Sequence, residues 1–439
     1  MRRESAISTT AIQLAVLIGL AVPAGTCEIE FAPPVEYDAG VFPVAAALGD
    51  LDGESTLDLV VTNRGDATVS IYLNDGRGGF TNAASVTVGP QPRSPAIADF
   101  NGDGALDVAV PIWAEGERRV SVLINDGSGG FASPVDYEVG LRPRTVVAAD
   151  LDGDGAVDLA TANFESHDVS VLRNQGDGTF VAAGTHAVDF FPGSVSAADL
   201  NGDDAIDLVA TNRQSHTASV LLNDRAGGFA AAVSYVVGLA PKHEVLVDID
   251  DDGDVDIATA DGNSGTVTIL LNQGDGGFQW GATVSAGAGP HGIVAVDVDD
   301  DGDLDLATAD PAMDRMVVLR RGPGLEFDPP RTFAAGAGEI FIVAGDLDGD
   351  DRIDLVVPNQ LSDDVSVLLN RTGLDPAGCP GDADGDGAVG LLDLLTVLSH
   401  WGPCGPVEFC TFCPGDLDAS MDVGLADLLQ VLSGWGPCS

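Results

Sequence analysis

The sequence predicts an all-β chain built from seven copies of one four-stranded unit, with a small helical module behind it. Three observations predict this. An aspartate-rich nonapeptide recurs with its first Asp at 50, 99, 150, 199, 248, 297 and 346. A Phe that opens a short β-rich run recurs at 31, 80, 131, 180, 229, 278 and 327. Five of the six cysteines fall in the last 61 residues, around Asp-rich loops of a second kind.

The N-terminus comes first. Arg2 and Arg3 precede an apolar stretch, Ile12–Val22, too short to span a bilayer. Val22-Pro23-Ala24 offers small residues for cleavage, so 1–24 reads as a secretory signal peptide and the protein as secreted or cell-surface. No later segment reads as an integral membrane span. Lys+Arg number 19 against 69 Asp+Glu, a formal net charge of −50. A surface of that sign repels nucleic acid and anionic lipid. The acid lies in short clusters between apolar runs, which argues for bound cations and against an acidic disordered chain.

The repeats occupy 28–371. The nonapeptides read DLDGESTLD, DFNGDGALD, DLDGDGAVD, DLNGDDAID, DIDDDGDVD, DVDDDGDLD and DLDGDDRID, spaced by 49 residues except for one step of 51. Each unit carries four short runs rich in Val, Leu, Ala and Thr; in the third these are 145–149, 158–163, 168–173 and 179–188. Four strands per unit, repeated at this period, predict a seven-bladed β-propeller. The two markers are offset. The first Phe run has no loop before it and the last loop has no Phe run after it. Residues 31–39 are therefore expected to complete the blade built around Asp346 and remove a free sheet edge.

Oxygen-only side chains at alternate loop positions suit a hard cation, and Ca²⁺ takes 6–8 oxygens. The candidate ligands are loop positions 1, 3, 5 and 9, with the carbonyl of position 7. In the second loop these are Asp99, Asn101, Asp103 and Asp107, and in the third Asp150, Asp152, Asp154 and Asp158. The fourth offers Asp199, Asn201, Asp203 and Asp207, and the fifth Asp248, Asp250, Asp252 and Asp256. The sixth offers Asp297, Asp299, Asp301 and Asp305, and the seventh Asp346, Asp348, Asp350 and Asp354. Gly at position 6 suits a left-handed turn. The first loop has Glu54 and Ser55 at positions 5 and 6 and ranks last as a metal site.

These units resemble the FG-GAP/VCBS repeats of integrin-α-like propellers. The resemblance implies calcium in the loop between the first two strands of a blade. It also implies an extracellular binding or adhesion role.

Residues 372–378 read as a linker, and 379–404 and 413–438 as two copies of a loop–helix unit. The first loop offers Asp382, Asp384, Asp386 and Asp393, the last on an amphipathic helix. The second offers Asp416, Asp418, Asp422 and Asp427, with Ser420 and Met421 at the fifth and sixth positions. This duplication, over 379–439, resembles a type I dockerin. The resemblance implies a cohesin-like partner. The hydroxylated recognition pair is replaced by Leu391/Leu392 and Leu425/Ala426, so another cell-surface protein is the alternative. Cys379, Cys404, Cys413 and Cys438 flank the copies. Pairing 379–438 with 404–413, or 379–404 with 413–438, both respect the repeat; antiparallel packing of the two copies favours the first.

A Pro stands seven residues before each of the first six Asp loops, with Glu339 in the seventh. The residues that follow include Arg93, Arg144, Lys242 and His291, on the face opposite the loops. Turns on that face carry Arg64, Trp113, Arg118, Arg119, Phe164, His167, Arg213, His216 and Arg315. Arg93, Arg144, Lys242, His291 and Trp113 are the candidate residues for a glycan or an anionic ligand. Salt bridges that relieve the acidic surface are the competing reading. No HExxH, GxSxG or Walker loop occurs, and no catalytic residues are nominated. The sequence favours a binding or scaffold module over its alternative, a secreted polysaccharide-degrading hydrolase or lyase.

Overall fold

The computed structural model describes residues 29–338 and 341–372, and two short strand pairs beyond them. Seven antiparallel four-stranded sheets form the blades of a closed ring. The third blade runs Pro143–Ala149, Asp158–Asn163, Asp168–Asn174 and Phe180–Ala187, in the order of the chain. Its second strand is buried along its whole length, while its outer strand is exposed or half-buried after the buried Phe180. Such a gradient from core to rim is what a radially packed sheet requires.

The first strands of neighbouring blades touch one another all the way round, including Pro43–Gly49 against Val343–Gly345. The seventh blade takes its outer strand from the N-terminus. Val35–Asp38 pairs antiparallel with Asp364–Leu368, in register Val35 opposite Val367. The offset of the two sequence markers thus has a physical cause: the ring is closed by a strand borrowed from its other end.

The core lies in the seams between blades. The recurrent Phe is a seam residue: Phe180 packs edge-on against Tyr137 and Phe100 of the preceding blade, with ring centres 5.3 and 5.5 Å away. Phe80 and Phe278 meet Tyr37 and Tyr235 in the same way.

Beyond the ring, Ala388–Val389 pairs with Gly436–Pro437, and Gly402–Pro403 with Asp422–Val423. Each sequence copy thus contributes a strand to both pairs. The leader 1–24, Glu339 and the rest of 373–439 lie outside the described residues, and with them the helices, metal ligands and cysteines expected there.

Candidate functional site

Two regions at opposite ends of the blades gather charge. The first is the set of Asp loops. Each joins the first strand of a blade to its second, and all seven share one backbone path. Position 6 is left-handed whether it is Gly155 (φ 91°), Ser55 (φ 67°), Asp204 (φ 66°) or Asp351 (φ 66°). Position 4 is left-handed too, even as Asp251 (φ 61°) and Asp300 (φ 57°). A non-glycine residue held there costs about 1 kcal/mol or more, so the surrounding bonds must impose the turn.

Those bonds come from the aspartates. The first carboxylate of the third loop accepts N–H groups from Gly153 at 2.8 Å and Gly155 at 2.9 Å. The ninth, Asp158, is buried; one oxygen accepts from Leu151 N at 3.1 Å, the other from Asn174 N at 2.8 Å. The equivalent pair of bonds recurs in all seven blades, for example at Asp58 and Asp305. The ninth aspartate is thus a latch between the loop and the third strand as well as a candidate ligand.

Positions 1, 3 and 9 converge. In five loops their carboxylate oxygens lie within 4.8 Å of one another: Asp50/Asp52/Asp58, Asp150/Asp152/Asp158, Asp248/Asp250/Asp256, Asp297/Asp299/Asp305 and Asp346/Asp348/Asp354. These clusters could hold a metal ion; their oxygen-only donors and burial fit a hard divalent cation. The second and fourth loops have Asn101 and Asn201 at the third position. The first loop, ranked last, forms a cluster like the others. The fifth-position aspartates Asp103, Asp154, Asp203, Asp252, Asp301 and Asp350 belong to none of the five clusters. Each caps the N–H two residues on, as Asp154 does for Ala156 at 2.9 Å.

Burial and crowding of like charge both raise the pKa of the ninth-position aspartates. Burial, then the neighbouring aspartates, push Asp158 up to about 6 and Asp256 up to about 7. Burial likewise raises Asp305 to about 8. Bound cations would reverse this.

The second region is the opposite, axial face. In the first six blades a Pro stands at or just before the first strand there, and the preceding residue is left-handed at Phe42, Gln91, Arg142, Phe191 and Ala240. The residue after the Pro is an extra one in the ladder at Val44, Arg144, Gly193 and Lys242. Such bulges re-aim a side chain. Arg93, Arg144 and Lys242 are buried there, and Arg93 and Arg144 point at Trp113, with guanidinium carbons 5.0 and 5.8 Å from its ring centre. Arg142 stacks on the same ring at 4.3 Å, and Arg213 on Phe164 at 5.9 Å. His291 is held neutral, its pKa lowered to about 3 by burial and by Lys242, Arg144, Arg213 and Arg93. The five candidates therefore lie together, but Trp113 is a shelf for guanidinium groups.

Other residues expected on this face have structural duties. His167 accepts the N–H of Phe191 through Nδ1 at 3.1 Å, and His216 that of Ala240 at 2.9 Å, each pinning the next blade. Arg119 pairs with Glu117 at 3.1 Å and with Asp136.

The sequence reading missed two features. Glu244, beside Lys242, is buried against Ser194 of the previous blade, and burial raises it to about 7. The Asn at or just past the end of the third strand staples the ring. Asn223 Nδ2 donates to Leu151 O and Ile206 O, both at 2.8 Å, bridging two blades. Asn74 makes the closing staple to Leu347 O at 2.9 Å. The signal was present as an Asn at 74, 125, 174, 223, 272 and 370, replaced by Arg321 in the sixth blade.

A family model described as FG-GAP-like repeat matches residues 50–110, 112–161, 150–210, 248–308 and 297–357. No curated protein matches the sequence. Among solved structures, BBS1N in complex with ARL6DN superposes with a TM-score of 0.57 at 12% identity, covering 78% of this chain and 96% of that one. Virginiamycin B lyase from Staphylococcus aureus superposes with a TM-score of 0.53 at 12% identity, covering 77% and 99%. At that identity the likeness is one of fold alone. Among the described residues, no helix is long and apolar enough to cross a membrane.

Proposed function

Since the chain belongs to the FG-GAP-like repeat family, we propose that it is a secreted, calcium-stiffened propeller that binds a ligand outside the cell and serves as a scaffold or adhesion module. The observation that carries this reading is the set of five carboxylate clusters, one at the corner of each of five blades of a closed ring. Calcium in the clusters that no buried arginine already occupies neutralises the crowded aspartates, fixes the blade corners and leaves the axial face free to bind. The dockerin-like tail, 379–439, attaches the propeller to a cohesin-like or other cell-surface protein, with calcium in its first loop. The ligand of the axial face is a glycan or an anionic group.

The test is a pull-down with the intact secreted protein in calcium, repeated with chelator and after deletion of 379–439. One set of partners should disappear with the tail and a second should remain, and both should weaken in chelator. Capture that is indifferent to calcium and to the tail would overturn the reading.

A further inference from the structure

The axial face poses an electrostatic problem that the described residues do not solve. Five consecutive blades each turn one cation towards the axis: Arg64, Arg93, Arg144, Arg213 and Lys242. The last is the only lysine of the chain. Three are nearly inaccessible, with Arg93, Arg144 and Lys242 at 9, 5 and 8% exposure. Among the described residues, none of the five makes an ion pair or a side-chain hydrogen bond. Nε of Arg93 and of Arg144 is buried without any partner. Yet acids outnumber bases 69 to 19 in this chain, and Arg119, Arg142, Arg173, Arg225, Arg320, Arg321, Arg352 and Arg371 each pair with one.

Space has been kept for these side chains. A Cβ on Gly262 would lie 2.3 Å from Lys242 Cε, and one on Gly193 3.0 Å from Arg213 Cγ. Trp113 and Phe164, with ring centres 4.8 Å apart, hold guanidinium groups on their faces. Stacking of this kind fixes direction and leaves the N–H edge free for an oxygen ligand. An unpaired buried cation costs several kcal/mol, and neighbouring cations add to it. Burial and mutual repulsion accordingly lower Arg93 to about 9 and Lys242 to about 8.

We propose that this cluster is a binding site for one multivalent oxyanion, such as a sulfate or phosphate group, gripped by Arg93, Arg144 and Lys242 and flanked by Arg64 and Arg213. The group is either free in solution or carried on a saccharide. The saccharide-borne form deepens the binding role proposed above and rests on it; the free form does not. An extended polyanion is excluded by the burial of the three grips and by the net charge of −50.

The experiment is calorimetric titration of the intact, calcium-loaded protein at fixed ionic strength. The probes are inorganic sulfate, a sulfated disaccharide and its unsulfated parent. Sulfate binding on its own identifies a free-anion site, and binding of the sulfated sugar alone identifies the saccharide-borne form. Arg144→Met and Lys242→Met should each weaken that binding about tenfold or more, the usual worth of a charge-assisted hydrogen bond. Without anion, both variants should melt at or above the wild-type temperature, because a buried unpaired charge has gone. The proposal is overturned if neither sulfated probe binds saturably, if the unsulfated sugar binds equally well, or if both variants keep wild-type affinity. A propeller that failed the calcium and pull-down test could still bind sulfate here, so the two failures are distinguishable.

Discussion

The first and sixth blades build the same aspartate loop and neutralise it differently. In the first, Asp50 and Asp52 are partly open to water, and no cation pairs with the cluster among the described residues. In the sixth, Asp299 is buried and Arg320 reaches into the loop, with Nε 2.6 Å from Asp299 and a terminal nitrogen 3.5 Å from Asp301. The backbone and the latch bonds of Asp58 and Asp305 are the same. What differs is the positive charge the chain itself supplies: none at the cluster of the first blade among the described residues, Arg320 in the sixth. Arg173 against Asp152 and Arg371 against Asp348 are intermediate cases, since both arginines remain more exposed. The repeat therefore specifies a geometry, and the blades differ in whether an arginine reaches the cluster.

The largest expected effect is on the loops that lack an internal cation. Chelation should lower the melting temperature by about 10 °C or more, because several sites each contribute about 2–3 kcal/mol near saturation. Scanning calorimetry with EDTA and with returned calcium checks this, and recovery must be complete. Next comes the sixth blade. Arg320→Met should destabilise the chelated protein by about 3–5 kcal/mol, since it strands buried carboxylates. Added calcium should recover most of that loss, because the loop then resembles the first.

Glu244 sharpens the contrast from the other rim. Its pKa in the fold, about 7, lies above its ordinary value of 4.5. The folded state therefore holds a proton that the unfolded chain has lost between those values. Stability is full below pH 4.5 and falls as pH rises through about 7, by about 3 kcal/mol in all. Glu244→Gln should remove that slope in urea melts of calcium-loaded protein taken from pH 5 to pH 8. The smallest effect is the staple. Asn223→Ala leaves Leu151 O and Ile206 O short of a donor and should cost about 1–3 kcal/mol, read in the same melts.

Much of this was legible because a ring of repeats writes its geometry into sequence period. The interval between loops gave the blade, and the offset between Phe and Asp gave the closing strand Val35–Asp38. The convergence of Asp150, Asp152 and Asp158 was legible as alternate oxygen ligands. The capping duty of Asp154 was not, because one Asp letter serves both as ligand and as turn cap. Asn223 was overlooked for a related reason: its partner Leu151 is 72 residues away, and a side chain to carbonyl bond leaves no mark on the acceptor. The burial of Glu244 was invisible because it depends on Ser194, one blade away.

The most direct measurement of the central claim is the count of calcium ions bound per chain by the intact protein, in wild type and in Arg320→Met. The account predicts several ions in wild type and one more in the variant, since removing the guanidinium opens the cluster of Asp297, Asp299 and Asp305. No bound calcium in wild type, or an unchanged count in a folded variant, would contradict it.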